Sequence, residues 1–348
     1  MKNTTTITIG LDLGDKAHFI CVLNANGEII DKRKITNHVE ALRRLSKKYP
    51  GAIIAMEVGT HSPWVSRFFG AQGHEVLVAN PRKLRAIYAN ERKSDERDAE
   101  MIARIARMDP KLLYPVKHRS EQAQRDLLQV KLRDNLVRQR VDIISSVRFT
   151  LKSLGVRLPS PSTPAFAKCA RKNLADQAEI LALIEPSLCV LEEMTARVRE
   201  FDRGIEKLCE ESYPESARLR EITGVGPITA LVFILVIGDV KRFAKARDAG
   251  PYLGMVPRRD QSGGLDKQLR ISKAGDAYLR RLLVSASQYI LGPFGPDCDL
   301  RRHGLILAER GGQAAKKKAV IAIARKLSVI MLSLLQQQSD YQPLRNAA

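Results

Sequence analysis

Apolar residues recur at Ile184, Leu188, Leu191, Met194, Val198, Phe201, Ile205 and Leu208, seven intervals over 24 residues with a mean near 3.43. That spacing lies closer to the seam of a supercoiled pair, about 3.5, than to the roughly 3.6 of a straight helix. Such a helix needs a partner along its whole length. Residues from about 120 to 154 also have helical apolar spacing and almost no breakers, and a Pro/Ser-rich stretch at 158–164 interrupts the two runs. The expectation is an antiparallel coiled-coil arm that serves dimerisation. Two long helices of an ordinary bundle are the alternative.

The arm divides the chain. Ahead of it the pattern reads as strands at 7–13, 18–23 and 28–35, with Asn24, Ala25, Asn26 and Gly27 turning the last two into a hairpin. A helix at 39–48, a buried-type strand at 52–57, a helix after Ser62, a strand at 75–79 and a helix capped by Ser94 follow. The order βββαβαβα predicts an α/β domain with a mixed sheet over 1–115. The arm takes 116–215, and a mainly α region rich in Gly, Arg and short apolar runs takes 216–348, with a polar, frayed end from Gln336.

Charge narrows the partners. The 348 residues hold 58 Lys plus Arg against 38 Asp plus Glu, a formal net charge of +20. Residues 241–326 alone carry 19 basic and 7 acidic side chains. Such an excess favours a polyanion, because neutralising phosphates releases condensed counterions. The first residues lack the apolar core of a signal peptide, and no apolar run approaches the roughly 18 residues of a membrane span. The cysteines at 21, 169, 189, 209 and 298 have neither metal-ligand nor redox-motif spacing, as expected of reduced cytoplasmic thiols.

Four acids are placed for chemistry. Asp12 ends the first strand and Glu57 a later one, while Asp95 and Asp98 lie three apart in the first turn of a helix. Singly, each has a structural reading, as a helix-start residue favoured by the macrodipole or as a salt-bridge partner. Together they can converge in a cleft, where two Mg²⁺ ions about 4 Å apart would neutralise them and support phosphoryl transfer. Sheets of the retroviral-integrase and Holliday-junction-resolvase type carry acids at these element ends, an analogy of fold.

Beyond the arm, Gly224 and Gly226 in TGVGPIT allow a tight turn whose amides face a phosphate at a helix start, as in a helix-hairpin-helix contact with a nucleic-acid backbone. A purely structural turn is the alternative. Ser262 lies beside two glycines among Arg258, Arg259, Lys267, Arg270 and Lys273. These cations suit a phosphate. On local chemistry alone Ser262 reads as a loop hydroxyl, and with no histidine near in sequence a Ser-His-Asp site gains no support. The six histidines are dispersed, and Lys316, Lys317 and Lys318 read equally as a nucleic-acid patch or a solvated helix start.

Taken as a set, IGLD with Asp12, MEVGT with Glu57, KSDERDA with Asp95 and Asp98, TGVGPITA, GMVPRRDQSGG and ISKAGDAYLRRLL resemble the DEDD-type insertion-sequence transposases of the IS110 and IS1111 groups. The resemblance covers nearly the whole chain. It implies an RNase H/RuvC-like N-terminal domain using Mg²⁺, a coiled-coil arm and a C-terminal domain whose Ser262 becomes the covalent nucleophile on DNA. It further implies a structured guide RNA pairing with donor and target DNA, and a homodimer or homotetramer in which acids of one subunit meet the serine of another. Two other functions compete: a resolvase-like nuclease using only the acids and water, and a non-catalytic nucleic-acid-binding protein whose acids are structural.

Overall fold

The computed structural model describes residues 7–84, 94–262 and 265–345, in two compact units, Met1–Arg119 and Ser120–Ala348. In the first, β1 (Thr8–Leu13), β2 (Ala17–Leu23), β3 (Ile29–Thr36), β4 (Ile53–Glu57) and β5 (Glu75–Ala79) form one sheet in the order β3-β2-β1-β4-β5. The pairs β1·β2 and β2·β3 are antiparallel, and β1·β4 and β4·β5 are parallel. The β2–β3 turn closes because Asn24 Oδ1 accepts from the amides of Asn26 and Glu28 while Gly27 takes φ +86°. The expected element order is realised, each strand starting and ending within one residue of its predicted bounds.

Helices cover both faces. From α1 (Val39–Lys48) and α2 (Ser62–Ala71), Leu42, Leu45, Val65 and Phe69 pack on Ile9, Leu11, Ile20, Ile54 and Met56. On the other face lies α3 (Asp95–Met108), whose N-cap Ser94 accepts from the Arg97 amide. Its Ala99 and Ala103 pack against Cys21 and Leu23, and its Ile102 and Ala106 against Ala55 and Leu77. Contact is close because β1 offers Gly10 there. A Cβ on Gly10 would stand 2.1 Å from the Ala99 carbonyl oxygen and 2.7 Å from the Ala103 nitrogen.

The second unit begins with α4 (Glu121–Ser153) and α6 (Ala178–Glu211), which run antiparallel. Arg133 donates to Asp202 at 2.8 Å, Arg140 donates to Thr195 at 3.1 Å, and Val147 shares a cluster with Leu188. Each advance of seven along α4 meets a retreat of seven along α6. The seam differs from the expected one at three positions: Met194, Phe201 and Leu208 are half-buried, and Thr195, Asp202 and Cys209 take the facing places. The apolar count skipped Thr195 and Asp202 because they are polar; the arginines opposite bond both, the buried Thr195 and the half-buried Asp202. At the far end the Pro/Ser-rich stretch leads into a short helix, α5 (Phe166–Asn173), whose Phe166, Ala167 and Ala170 close a small core with Val147, Leu151, Leu188 and Leu191.

At the other end of the arm, α7 (Ser216–Arg220) turns into α8 (Pro227–Ile237), which is buried at every residue from Thr229 to Ile237. Around it pack α9 (Ala249–Tyr252), α10 (Ala277–Leu291), α11 (Asp299–Ala308), α12 (Gly312–Gln337) and the arm residues Leu127, Val130, Ile205 and Cys209. By length and composition α12 is apolar enough to cross a membrane, and its Ile323, Leu327, Met331 and Leu332 are buried in this core. The mainly α expectation holds with one exception: β6 (Pro257–Ser262) and β7 (Leu265–Ile271) form a hairpin.

Candidate active site

The sheet register brings the first two acids together. Leu11 of β1 pairs with Met56 of β4 in parallel, so the next residues, Asp12 and Glu57, stand at equivalent places on adjacent strands. Neighbouring strands lie about 4.8 Å apart. Strand alternation puts both on the face of Gly10 and Ala55, the face that α3 covers. The direction of α3 supplies the other pair. Arg107 near its C-terminus reaches Gly27 in the turn at the start of β3, whereas Ala99 lies against Gly10, so its N-terminus points to the end of the sheet where Asp12 and Glu57 sit. Its buried stripe of Ala99, Ile102, Ala103 and Ala106, continued one turn back, runs through Asp95 and Asp98.

All four acids therefore occupy one end of one sheet. Asp95 is exposed and the other three are half-buried. The remaining acid of the first turn, Glu96, points elsewhere, with Glu100, to Lys32 of β3. Oxygen-only ligands suit a hard divalent cation. Among the described residues, no three Asp, Glu, His or Cys side chains are gathered closely enough to hold an ion as they stand.

Behind the acids lies a histidine cluster that reading the chain in order did not find. The loop after Glu57 carries His61, whose Nδ1 accepts from the Trp64 indole at 3.2 Å and whose Nε2 donates to Asp15, in the loop after Asp12, at 2.8 Å. This bond ties the exits of the two acid-bearing strands to each other. His18 lies against the His61 ring, 6.3 Å between centroids. It is fully buried, and its ring nitrogens find no hydrogen-bond partner among the described residues. Burial, then His61, push its pKa down to about 4, with Asn37 opposing weakly. Ser62, also buried, bonds Gly59 in the same loop and His118 Nε2 at 2.9 Å. Sequence distance hid these partners: His118 and Ser62 are 56 residues apart.

In the second unit the glycine turn is built as expected between α7 and α8. Gly224 has φ +85°, and a Cβ there would press on the Ala286 carbonyl at 3.0 Å and the Tyr289 ring at 3.3 Å. Gly226 is the N-cap of α8, with no side chain capping the helix and nothing within 4 Å of where a Cβ would stand. The hairpin begins at a close crossing, since a Cβ on Gly254, at φ +67°, would meet the Ala274 nitrogen at 2.1 Å. Arg280 spans that crossing, donating to the carbonyls of Leu253 at 2.9 Å and Ala274 at 2.8 Å. Above it Arg258, Arg259, Lys267, Arg270 and Lys273 are exposed, Lys273 at φ +52°. Asp260 pairs with Lys267 in the register, and Ser262, opposite Leu265, is the last pair of the ladder. Ser262 thus ends a strand where a loop was expected; its side chain, with Gly263 and Gly264, lies outside the described residues.

Comparison with known proteins gives matches in both units. A family profile of DEDD-type transposases matches residues 9–155, and one described as transposase IS116/IS110/IS902 family matches 216–296. A probable family 20 transposase of Pseudomonas aeruginosa is 27% identical over 96% of this chain and 98% of its own length. The transposase for insertion sequence element IS1111A of Coxiella burnetii is 25% identical over 96% of this chain and 90% of its own. A pilin gene-inverting protein of Moraxella lacunata is 31% identical over 35% of this chain and 37% of its own.

Proposed function

Because the chain belongs to the IS110-type insertion-sequence transposases and is therefore a DNA transposase, we propose that it cuts and rejoins DNA by metal-dependent phosphoryl transfer through a covalent Ser262–DNA intermediate. One observation carries this reading: Asp12 and Glu57 stand side by side at the ends of parallel strands, beneath the helix start that bears Asp95 and Asp98. The strand order β3-β2-β1-β4-β5 supports an RNase H/RuvC-like domain at 1–115, and the heptad-spaced α4–α6 pair supports a coiled-coil arm at 116–215. The turn from α7 into α8 supports a helix-hairpin-helix within 216–348.

Asp12, Glu57, Asp95 and Asp98 would hold Mg²⁺, which when bound neutralises charge on the phosphate and favours a deprotonated nucleophile. Ser262 attacks phosphorus: its Oγ–P bond forms as a phosphodiester P–O bond breaks, and the hydroxyl proton ends on the leaving sugar oxygen. Reversal with a different sugar hydroxyl rejoins the strand and frees the serine, so no high-energy cofactor is consumed. Arg258, Arg259, Lys267, Arg270 and Lys273 stabilise the charge that builds on the phosphate. The amides beside Gly224 and Gly226 hold the backbone. Partners follow from the family resemblance: donor and target DNA, a structured guide RNA, and further copies of this chain in a dimer or tetramer, in the bacterial cytoplasm at the nucleoid.

The test is a pair of substitutions read on denaturing gels of labelled DNA. Asp12→Asn should fold, bind DNA and lose strand exchange by more than about a thousandfold. Ser262→Ala should fold and bind but trap no protein–DNA adduct. An adduct at another residue, or full recombination by the alanine variant, sinks the serine step. Free ends released by Ser262→Ala at the wild-type rate would instead favour a nuclease that uses only the acids and water.

A further inference from the structure

Between α10 and α11 lies a short loop, Gly292, Pro293, Phe294, Gly295 and Pro296, that presents one aromatic ring to solvent. Phe294 is 81% exposed, the largest exposure of any large apolar residue among the described residues. Leaving such a ring in water forgoes roughly 1.5–3 kcal/mol of burial. The loop is nevertheless fixed. Arg301 Nη1 donates to the carbonyls of Ile290 at 2.6 Å and Gly292 at 2.5 Å, and the Gly295 amide donates back to Gly292 at 3.2 Å. A Cβ on Gly295 would strike the Ile290 carbonyl at 2.2 Å, so this tight path is open to glycine alone. Arg301 itself is held at the start of α11, its amide donating to the Cys298 sulfur. Pro293 further narrows the backbone ahead of the ring.

The surroundings say what this ring meets. Tyr289, in the last turn of α10 and 49% exposed, lies against the Gly224 backbone, so loop and glycine turn adjoin on one surface. The acid nearest in sequence, Asp297, is paired with Arg302 at 2.6 Å, and Arg301 lies along the loop backbone, so the loop itself brings no unpaired carboxylate to the ring. A protein interface needs a contiguous apolar patch of several hundred Å². Within its loop Phe294 has only glycine and proline for company. A single flat ring on a rigid support, beside amides that suit a phosphate, matches one base at a time.

From this we infer that Phe294 is a stacking platform for an unpaired base of the DNA strand whose backbone passes over the Gly224–Gly226 turn. The inference rests on the proposed reading of that turn for where the backbone runs. Strand exchange opens base pairs, and a ring held next to the strand lowers the cost of keeping one base out of its helix. Its effect is therefore confined to opened DNA.

Full-length protein, with a 2-aminopurine placed in turn along a single-stranded DNA, tests this. Wild type should quench the fluorophore at one position, and Phe294→Ala should lose that quenching and bind the single strand about tenfold more weakly. Phe294→Leu, apolar but without a ring, should resemble alanine, and Phe294→Trp should resemble wild type. Affinity for a fully paired duplex and the thermal midpoint should stay unchanged in all three. Gly226→Glu should weaken duplex and single strand alike; if it changes neither while Phe294→Ala still removes the quenching, stacking stands and the turn reading falls. Four results would overturn the platform: wild-type quenching by Phe294→Ala, an equal loss on duplex, a loss confined to RNA of the same sequence, or a change in self-association alone.

Discussion

The acids of the first unit and the serine segment of the second are supported in opposite ways. Asp12 and Glu57 end central strands of a sheet covered by helices on both faces, and α3 lies so close that Gly10 has no room for a side chain. Ser262 ends a strand of a two-stranded hairpin whose charges Arg258, Arg259, Asp260, Asp266 and Lys267 are exposed. Rigid backing suits groups whose mutual spacing must fit an ion to within a few tenths of an ångström. An exposed hairpin held at its base suits a group that must follow a strand as it changes partners. On the function proposed above, the contrast would be one between a rigidly backed metal site and a nucleophile carried on an exposed hairpin.

The largest expected effect breaks the rigid side. Gly10→Val should lift α3 from β1 and cost at least about 4 kcal/mol, with hydrogen exchange accelerating across β1, β4 and α3 and no strand cleavage remaining. Gly254→Val should accelerate exchange at the hairpin base and leave the sheet of the first unit untouched. If both variants loosen both regions equally, the contrast is wrong.

Next in size is the acid sensitivity that His18 gives the sheet. His18 is held neutral, its pKa lowered from 6.5 to about 4. The unfolded chain therefore takes up a proton in a window where the native state does not. Stability of the first unit should fall as pH drops from about 6.5 to about 4, by at most about 3 kcal/mol, and then level off with respect to this group. His18→Gln should flatten that part of the profile in denaturant titrations, and an unchanged slope would remove His18 as its source.

The smallest effect sharpens the flexible side. Arg259 reaches Asp266 at 3.8 Å with both side chains largely exposed. Arg259→Gln should change stability by less than about 0.5 kcal/mol. If Arg259 touches phosphate, the salt dependence of DNA binding should lose a slope of about one. A larger stability loss would mean the hairpin is packed more firmly than its exposure shows.

What could be read from the sequence follows the same division. The first unit was legible because buried strands write an apolar run or an alternation, and because Asn24 to Gly27 and Ser94 mark turn and cap by their own chemistry. The positions of Asp12 and Glu57 at strand ends followed. The hairpin was not legible, since a ladder exposed on both faces writes no period of two, and Arg258 to Ser262 reads as a charged loop. In the arm, Thr195 and Asp202 were missed because their fitness for the seam depends on Arg140 and Arg133, 55 and 69 residues away. The His61–Asp15 and Ser62–His118 contacts were missed for the same reason: each needs the folded sheet to bring two loops together.

The α4–α6 pair has a consequence of length. The 33 residues of α4 extend about 50 Å at roughly 1.5 Å each. A tilt of about 5° where the pair leaves the core would thus carry the small cluster under α5 through about 4 Å, a lever acting on whatever that end grips. The layers at Arg133–Asp202 and Arg140–Thr195 also make it a ruler graduated in sevens, because sliding one helix by a single turn would separate each arginine from its partner. Removing one heptad from both helices together would keep the layers matched and shorten the reach by about 10 Å. Strand exchange by such a protein would report whether the distance itself is what this molecule measures.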